Sequence, residues 1–296
     1  MILSYKKCEM CARKCGVDRE IGKIGFCRMT DKCVIARASL HMWEEPIISG
    51  KCGSGTIFFS GCSLGCVFCQ NKDISRGGKG KEVSSERLAE IMLELQDKGA
   101  HNINLVTPTH FAKTVRESLI IAKGNGLSVP TVYNTSSYDT PQTIKAMEGL
   151  IDIYLPDYKY YLSKTADAYS FAEDYPNAAK LAIAEMVRQK PVHEIKNGLM
   201  CSGVIARILL LPSHVAEAKL ILKYLYSEYG DSIYISLMNQ YTPIGAMESP
   251  LNRRVTHAEY EELIDYADRI GVKRAFIQEY GTAKESFIPD FDNTGV

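Results

Sequence analysis

The chain has 296 residues, 46% of them hydrophobic, and its 35 Lys and Arg cancel 35 Asp and Glu to a formal net charge of zero. That length can bury one large core or two modest ones, and the two signs are interleaved without a basic stripe, so a nucleic-acid partner is not expected. No apolar run approaches the roughly 20 residues needed to cross a bilayer, which excludes a membrane span by helix.

The opening residues Met1–Lys7 reach the first cysteine too early for a signal peptide, and a cytoplasmic protein is expected. Ten cysteines could suggest a disulfide framework, but seven of them sit in two close-spaced clusters, as metal ligands do in a reducing compartment. The first cluster is Cys8-Glu-Met-Cys11-Ala-Arg-Lys-Cys15 followed by Gly22-Lys-Ile-Gly-Phe-Cys27, or Cys-x2-Cys-x3-Cys-x11-Cys. Short, Gly-punctuated and poor in large apolar residues, it cannot build a core and needs a staple. Tetrahedral binding of Zn or Fe by Cys8, Cys11, Cys15 and Cys27 supplies one; loosely packed free thiols are the alternative. Cys33 and Cys52 are left over, as small buried residues or as substitutes for Cys27.

The stretch His41-Met-Trp-Glu-Glu-Pro46 joins the only Trp to a histidine and two carboxylates. Glu44 or Glu45 can reach an active site as a substrate contact or proton-handling group. The competing reading, which pattern alone favours, is a β-ribbon with Trp43 plugging the gap between modules.

After the apolar run Thr56-Ile-Phe-Phe-Ser60 comes Cys62-Ser-Leu-Gly-Cys66-Val-Phe-Cys69, at spacing Cys-x3-Cys-x2-Cys. Three thiolates on a loop with Gly61 and Gly65 can converge on one side of an iron–sulfur cube, leaving one iron open to a substrate or cofactor. Zinc held with a distant His, or buried thiols, fit less well, because zinc sites favour paired Cys-x2-Cys units. With Gln70-Asn71 next, this motif resembles the radical S-adenosylmethionine (SAM) signature in the version of glycyl-radical-enzyme activating proteins. From the Cys8 region to Ile288-Pro-Asp-Phe291 the chain is similar to uncharacterised relatives of pyruvate formate-lyase activating enzyme.

The resemblance implies an oxidoreductase with a 4Fe-4S cluster on Cys62, Cys66 and Cys69 and SAM chelating the open iron. One-electron reduction, from reduced flavodoxin or ferredoxin, then cleaves the sulfonium to a 5'-deoxyadenosyl radical that takes a hydrogen atom from a substrate. The implied substrate is the glycyl loop of a partner enzyme, or a small molecule if the N-terminal module covers the mouth. A non-enzymatic iron–sulfur or zinc protein serving electron transfer or interaction is the second class of reading. An open iron also predicts oxygen sensitivity and an anaerobic setting.

From Thr56 onward strand-like and helix-like segments alternate, as in βα units of a parallel sheet. Ser84 or Ser85 caps a helix with Leu88, Ile91, Met92 and Leu95 on one face, ended by Gly99. Strands are expected at Asn102–Val106, Val129–Tyr133, Asp152–Leu155, Val204–Leu211, Ser232–Leu237 and Arg274–Gln278. Helices are expected between them: one through about Lys123, one from Pro141, a long one from about Thr165 to Gln189, one ending near Tyr229, and one carrying Tyr260, Leu263, Ile264 and Ala267. Residues 191–202 read as irregular. Seven strands, six followed by helices, make an α/β fold, a partial (β/α)6 radical SAM barrel over 51–285, after a Cys-rich module and connector over 1–50 and before a tail over 286–296.

In such a barrel the residues at the strands' C-terminal ends face a common cavity. Phe68 stands where related enzymes use an aromatic residue against adenine, or packs the loop. Val106-Thr-Pro-Thr-His110 departs from the family's Gly-Gly-Glu-type segment, leaving Thr107 or Thr109 for the SAM amino group and His110 as a general acid/base or a structural residue. Asn134 and Ser136 suit a ribose or carboxylate, or a helix cap. Asp157-Tyr-Lys159 matches the family's Asp-x-Lys element, where the pair contacts SAM, with a surface ion pair as the alternative. Arg207, alone in an apolar strand, needs an acidic partner, for which the resemblance implies the SAM carboxylate. Asn239 can read the adenine edge, and Cys201 is a hydrogen-atom donor or a structural thiol.

Overall fold

A parallel strand covered on both faces must be buried throughout, and Ser54–Phe59 meets that condition at all six positions. It belongs to a sheet described here from a computed structural model covering residues 3–279 and 289–296. The strands are β1 (Cys33–His41), β2 (Ser54–Phe59), β3 (Lys81–Val83), β4 (Ile103–Val106), β5 (Thr131–Thr135), β6 (Ile153–Pro156), β7 (Glu194–Lys196), β8 (Leu199–Leu209), β9 (Tyr234–Met238) and β10 (Ala275–Ile277). Their order is β10-β9-β8-β6-β5-β4-β2-β1-β3, with β7 on β8. The seven strands β2, β4, β5, β6, β8, β9 and β10 lie side by side in chain order and pair parallel. Among the described residues the sheet's two ends do not pair, so the barrel is open, as expected of a partial (β/α)6 architecture.

The helices are α1 (Pro46–Ser49), α2 (Lys72–Ser75), α3 (Ser85–Asp97), α4 (Ala112–Gly124), α5 (Pro141–Ala146), α6 (Ser163–Ser170), α7 (Tyr175–Gln189), α8 (Val215–Tyr229) and α9 (His257–Arg269). Their starts follow local chemistry. Ser84 caps α3 by accepting the Arg87 N–H, Thr140 caps α5 before Pro141, and Thr256 with Glu259 forms a capping box on α9. Leu88, Ile91, Met92 and Leu95 of α3 are buried, and the outward Ile57 and Phe59 of β2 share their core. On the barrel's inner side Ile48 of α1 packs with Val132, Ile153, Met200 and Ile205, an apolar floor beneath the strand ends.

Three expectations are corrected. The long helix over 165–189 is two helices, α6 and α7, because Phe171 turns left-handed (φ 51°) and Pro176 opens the next helix, where its missing N–H costs nothing. The segment expected to be irregular holds β7, which pairs with β8 across Asn197-Gly198, both at positive φ (53° and 79°), a hairpin signal that went unread. The sheet also begins before residue 51. β1 pairs antiparallel with β2, and the chain end binds the edge of β1 through Asn293 N–H to Ala36 O (3.0 Å) and Ala38 N–H to Thr294 O (2.9 Å). The boundary expected at 285/286 and Ile288 lie outside the described residues.

Candidate active site

A cavity of about 560 Å³ opens where the parallel strands end. The loop after β2 lines it with Cys62, Cys66, Phe68 and Cys69; the ends of β4 and β5 add Thr107, Asn134 and Ser136. Asp157 and Lys159 follow β6, Arg207 comes from β8, and Ser236, Met238 and Gln278 come from β9 and beyond β10.

Glycines shape the cysteine loop. Gly61 has φ 83°, and a Cβ there would stand 2.7 Å from Cys27 O, so only glycine lets the N-terminal segment pack on the loop. At Gly65 (φ 67°) a Cβ would overlap the Arg76 guanidinium, which lies beside the Cys62 and Cys66 thiols and donates to Phe26 O at 2.8 Å. Arg13 clamps the loop from the same segment, donating to Ser63 O (3.1 Å), Leu64 O (3.2 Å) and Ser170 O (2.7 Å). Phe68 is buried with its edge among Tyr160, Tyr169 and Tyr241.

Burial pushes the Cys62 thiol up and Cys69 to about 11, and neighbouring thiols of the trio add to both shifts. When the trio binds iron, thiolate charge would meet the Arg76 cation and the Leu64 N–H, 3.4 Å from Cys62 Sγ. Among the described residues no three His, Cys, Asp or Glu side chains gather around a point as a single ion requires. Three thiolates on one loop are the donor set of a cube, in which each thiolate binds a different iron. Donor type, loop and accessible cavity therefore fit an iron–sulfur cluster.

Across the cavity from the thiols is a partly buried charged network. Arg207 Nε reaches Asp157 Oδ1 at 2.7 Å, Nη1 reaches Glu44 Oε2 at 3.1 Å, and Nη2 donates to Asn134 Oδ1 at 2.6 Å. Lys159 Nζ reaches Asp157 Oδ2 at 2.8 Å, and Asn104 donates to Glu44 at 2.8 Å. Burial raises the Asp157 carboxyl, but Arg207 and then Lys159 outweigh it and hold it below the usual range. Burial also raises Glu44 and Glu45, against the pull of Arg207. Glu45 lines the cavity, and among the described residues its Oε2 has no hydrogen-bond partner.

These contacts revise several expectations. Arg207 meets the protein's own carboxylates, so a bound carboxylate is not required to balance it. Asp157 and Lys159 form a partly buried pair at the cavity, not a surface one. Residues 42–45 are no plug: Trp43 is exposed, and the helix α1 follows, directing Glu44 and Glu45 to the cavity. Thr109 and Asn239 do not line it; Thr109 is buried 3.4 Å from Thr135 Oγ1, and the Asn239 N–H donates to Gln278 Oε1. His110 is buried against Ser60 O (2.7 Å), and desolvation with the nearby Arg19 lowers its pKa to about 3, so it is neutral and structural. Ser236, Tyr241 and Gln278 were missed. Alternation along β9 put Ser236 and Met238 on one face, the one signal that was available.

The Radical SAM superfamily model matches residues 56–282. An uncharacterized protein of Methanocaldococcus jannaschii is 29% identical over 278 residues, covering 90% of this chain and 75% of that protein. Streptococcus suis SuiB bound to S-adenosylmethionine aligns with a TM-score of 0.52 at 14% identity, over 75% of this chain and 46% of that one. SuiB bound to precursor peptide SuiA gives 0.51 at 13%, over 75% and 47%. The chain spans about half the length of these solved structures, and the likeness to them is one of fold. Matched across most of its length and carrying the three-cysteine loop at the end of the first parallel strand, the chain belongs to the Radical SAM superfamily, with the iron–sulfur and SAM binding that membership carries.

Proposed function

We propose that this chain is an oxidoreductase of the type of pyruvate formate-lyase activating enzyme, acting on a glycyl loop of a partner protein. The observation that carries the reading is one cavity lined by three cysteines on one side and by Asn134, Ser136, Asp157, Lys159 and Arg207 on the other. When bound, a 4Fe-4S cluster with SAM supplies reductive cleavage of the sulfonium and a 5'-deoxyadenosyl radical that removes a hydrogen atom from the substrate.

Cys62, Cys66 and Cys69 hold the cluster. Lys159 uses one of its three N–H donors on Asp157 and keeps others for a carboxylate, while Asn134 and Ser136 offer small polar groups to a ribose. Phe68 gives an aromatic surface to adenine, and Thr107 a polar group to the SAM amino end. The apolar floor around Ile48 excludes water from below. An exposed Trp43 and Ile277 beside the unclosed sheet give a peptide segment an apolar margin, which favours a polypeptide over a small molecule. Reduced flavodoxin or ferredoxin is the proposed donor.

Anaerobically reconstituted protein incubated with SAM and dithionite should release 5'-deoxyadenosine, and Cys66→Ala should release none. An electron carrier would yield none from either protein. Product from Cys66→Ala would refute the assignment of the cluster to this trio.

A further inference from the structure

Reductive cleavage of SAM draws its electron from outside the chain, and the function proposed above fills the cavity with SAM and substrate. The electron donor must then reach the cysteine loop from another side. Arg13, Phe26, Arg28 and Arg76 do not line the cavity, yet they pack on that loop. A Cβ at Gly65, between Cys62 and Cys66, would overlap the Arg76 guanidinium, and Arg13 holds Ser63 O at 3.1 Å and Leu64 O at 3.2 Å. The loop therefore has an outer face as well as the face on the cavity.

Phe26 is at the centre of the outer face. Two guanidiniums lie over its ring, Arg13 at 3.7 Å and Arg76 at 4.3 Å from the centroid, and Arg76 also donates to Phe26 O at 2.8 Å. Arg28 joins them by donating to Arg76 O at 3.1 Å. The hydrogen bonds of these three arginines go to carbonyls, and among the described residues none of the three meets a carboxylate. A carbonyl satisfies an N–H and leaves the positive field in place.

The charge continues outward. Residues 11–28 and 70–80 carry eight Lys and Arg, all but Arg19 at least partly exposed, against Asp18, Glu20 and Asp73, in a chain whose net charge is zero. Asp73 is itself taken by Lys79 at 2.5 Å. From the same N-terminal loop Ile21 and Ile24 project 68% and 56% exposed. A small anion would need only the cations; cations set around bare apolar side chains fit the mixed surface by which one protein meets another.

We propose that this outer face of the cysteine loop, built by the N-terminal segment together with Arg76, is the docking surface for an acidic one-electron carrier protein. In the docked complex one electron passes from the reduced carrier to the iron–sulfur group on the trio, so the carrier is oxidised by one electron, that group is reduced by one, and no atom moves. Complementary charge steers the two proteins together. The purpose of the surface rests on the function proposed above, but its test needs no turnover.

Oxidised flavodoxin, an acidic flavin carrier, is titrated calorimetrically into the anaerobically reconstituted full chain. The wild type should bind at low salt and lose affinity as salt rises. The variant Lys14→Glu with Lys23→Glu and Arg28→Glu reverses exposed charges and should weaken binding by about tenfold or more, whereas Lys223→Glu on α8 should leave it unmoved. The ratio of 5'-deoxyadenosine driven by reduced flavodoxin to that driven by dithionite, which needs no docking, should fall in the same variant. Equal binding by the triple variant and the wild type overturns the proposal, as does failure of both flavodoxin and an acidic ferredoxin to bind the wild type. Should the triple variant not fold, Lys23→Glu alone decides: a smaller loss of affinity supports the surface and an unmoved affinity overturns it. Binding that follows the charge, with no 5'-deoxyadenosine from any reductant, would refute the proposed function and leave the docking surface standing.

Discussion

The two groups of cysteines in this chain differ less in their sulfur chemistry than in what stands opposite them. Cys62, Cys66 and Cys69 face a cavity and, across it, a network of Glu44, Asn134, Asp157, Lys159 and Arg207 delivered by separate strands. None of the N-terminal four lines that cavity among the described residues, and Cys8 lies 3.6 Å from the buried Arg19. Close thiols alone therefore do not make a reaction site; an accessible cavity with placed charges does. Arg13 and the bare backbone at Gly61 hold the two groups against each other.

The largest expected effect breaks the cavity side. Arg207→Leu leaves the partly buried Glu44 and Asp157 without their shared cation, and urea denaturation should show a loss of about 2–4 kcal/mol, below the full cost of breaking a buried pair because Lys159 stays on Asp157. Adding Glu44→Gln should recover part of that loss, since one stranded charge is gone. Breaking the seam between the two groups comes next. Arg13→Ala removes donors to carbonyls of the cysteine loop and of the α6 end, and should cost about 1–3 kcal/mol and lower the iron retained by the Cys62 trio, read by metal analysis.

A pH titration sharpens the comparison from the seam itself. His110 is held neutral down to about 3 against its usual 6.5, so the unfolded chain takes up a proton that the native chain refuses. Its contribution to stability is complete above 6.5 and is lost as pH falls toward about 3. The slope is about 1.4 kcal/mol per pH unit. Stability measured in stepped buffers should show that slope, and His110→Gln should flatten it. The smallest effect is a control remote from both groups: Ser84→Ala should cost about 1 kcal/mol through the lost cap and leave 5'-deoxyadenosine formation unchanged.

Local signals carried much of the fold. Ser84, Thr140 and Thr256 are short-range caps, and the apolar periodicity of α3 is a property of neighbours in sequence. The Asp157 and Lys159 pair was legible because two residues at a strand end share a side. Arg207 was legible as a charge needing a partner, but its partners lie 50 and 163 residues away, beyond any local pattern. Glu44 and Glu45 were legible as candidates for the site, but pattern alone favoured a surface ribbon, because what places them at the cavity is α1 and the barrel floor.

Spacing of residue types along the chain determined the three-cysteine loop, the βα alternation and the isolated charge of β8, because each is a relation between near neighbours. Tertiary structure alone decided which carboxylates answer Arg207, that Thr109 and Asn239 lie away from the cavity, and that Arg19 is buried among carbonyls and rings and, among the described residues, meets no carboxylate. The physical reason is that charge compensation and burial are set by distances through space, and a parallel barrel brings together strand ends that are far apart in the chain.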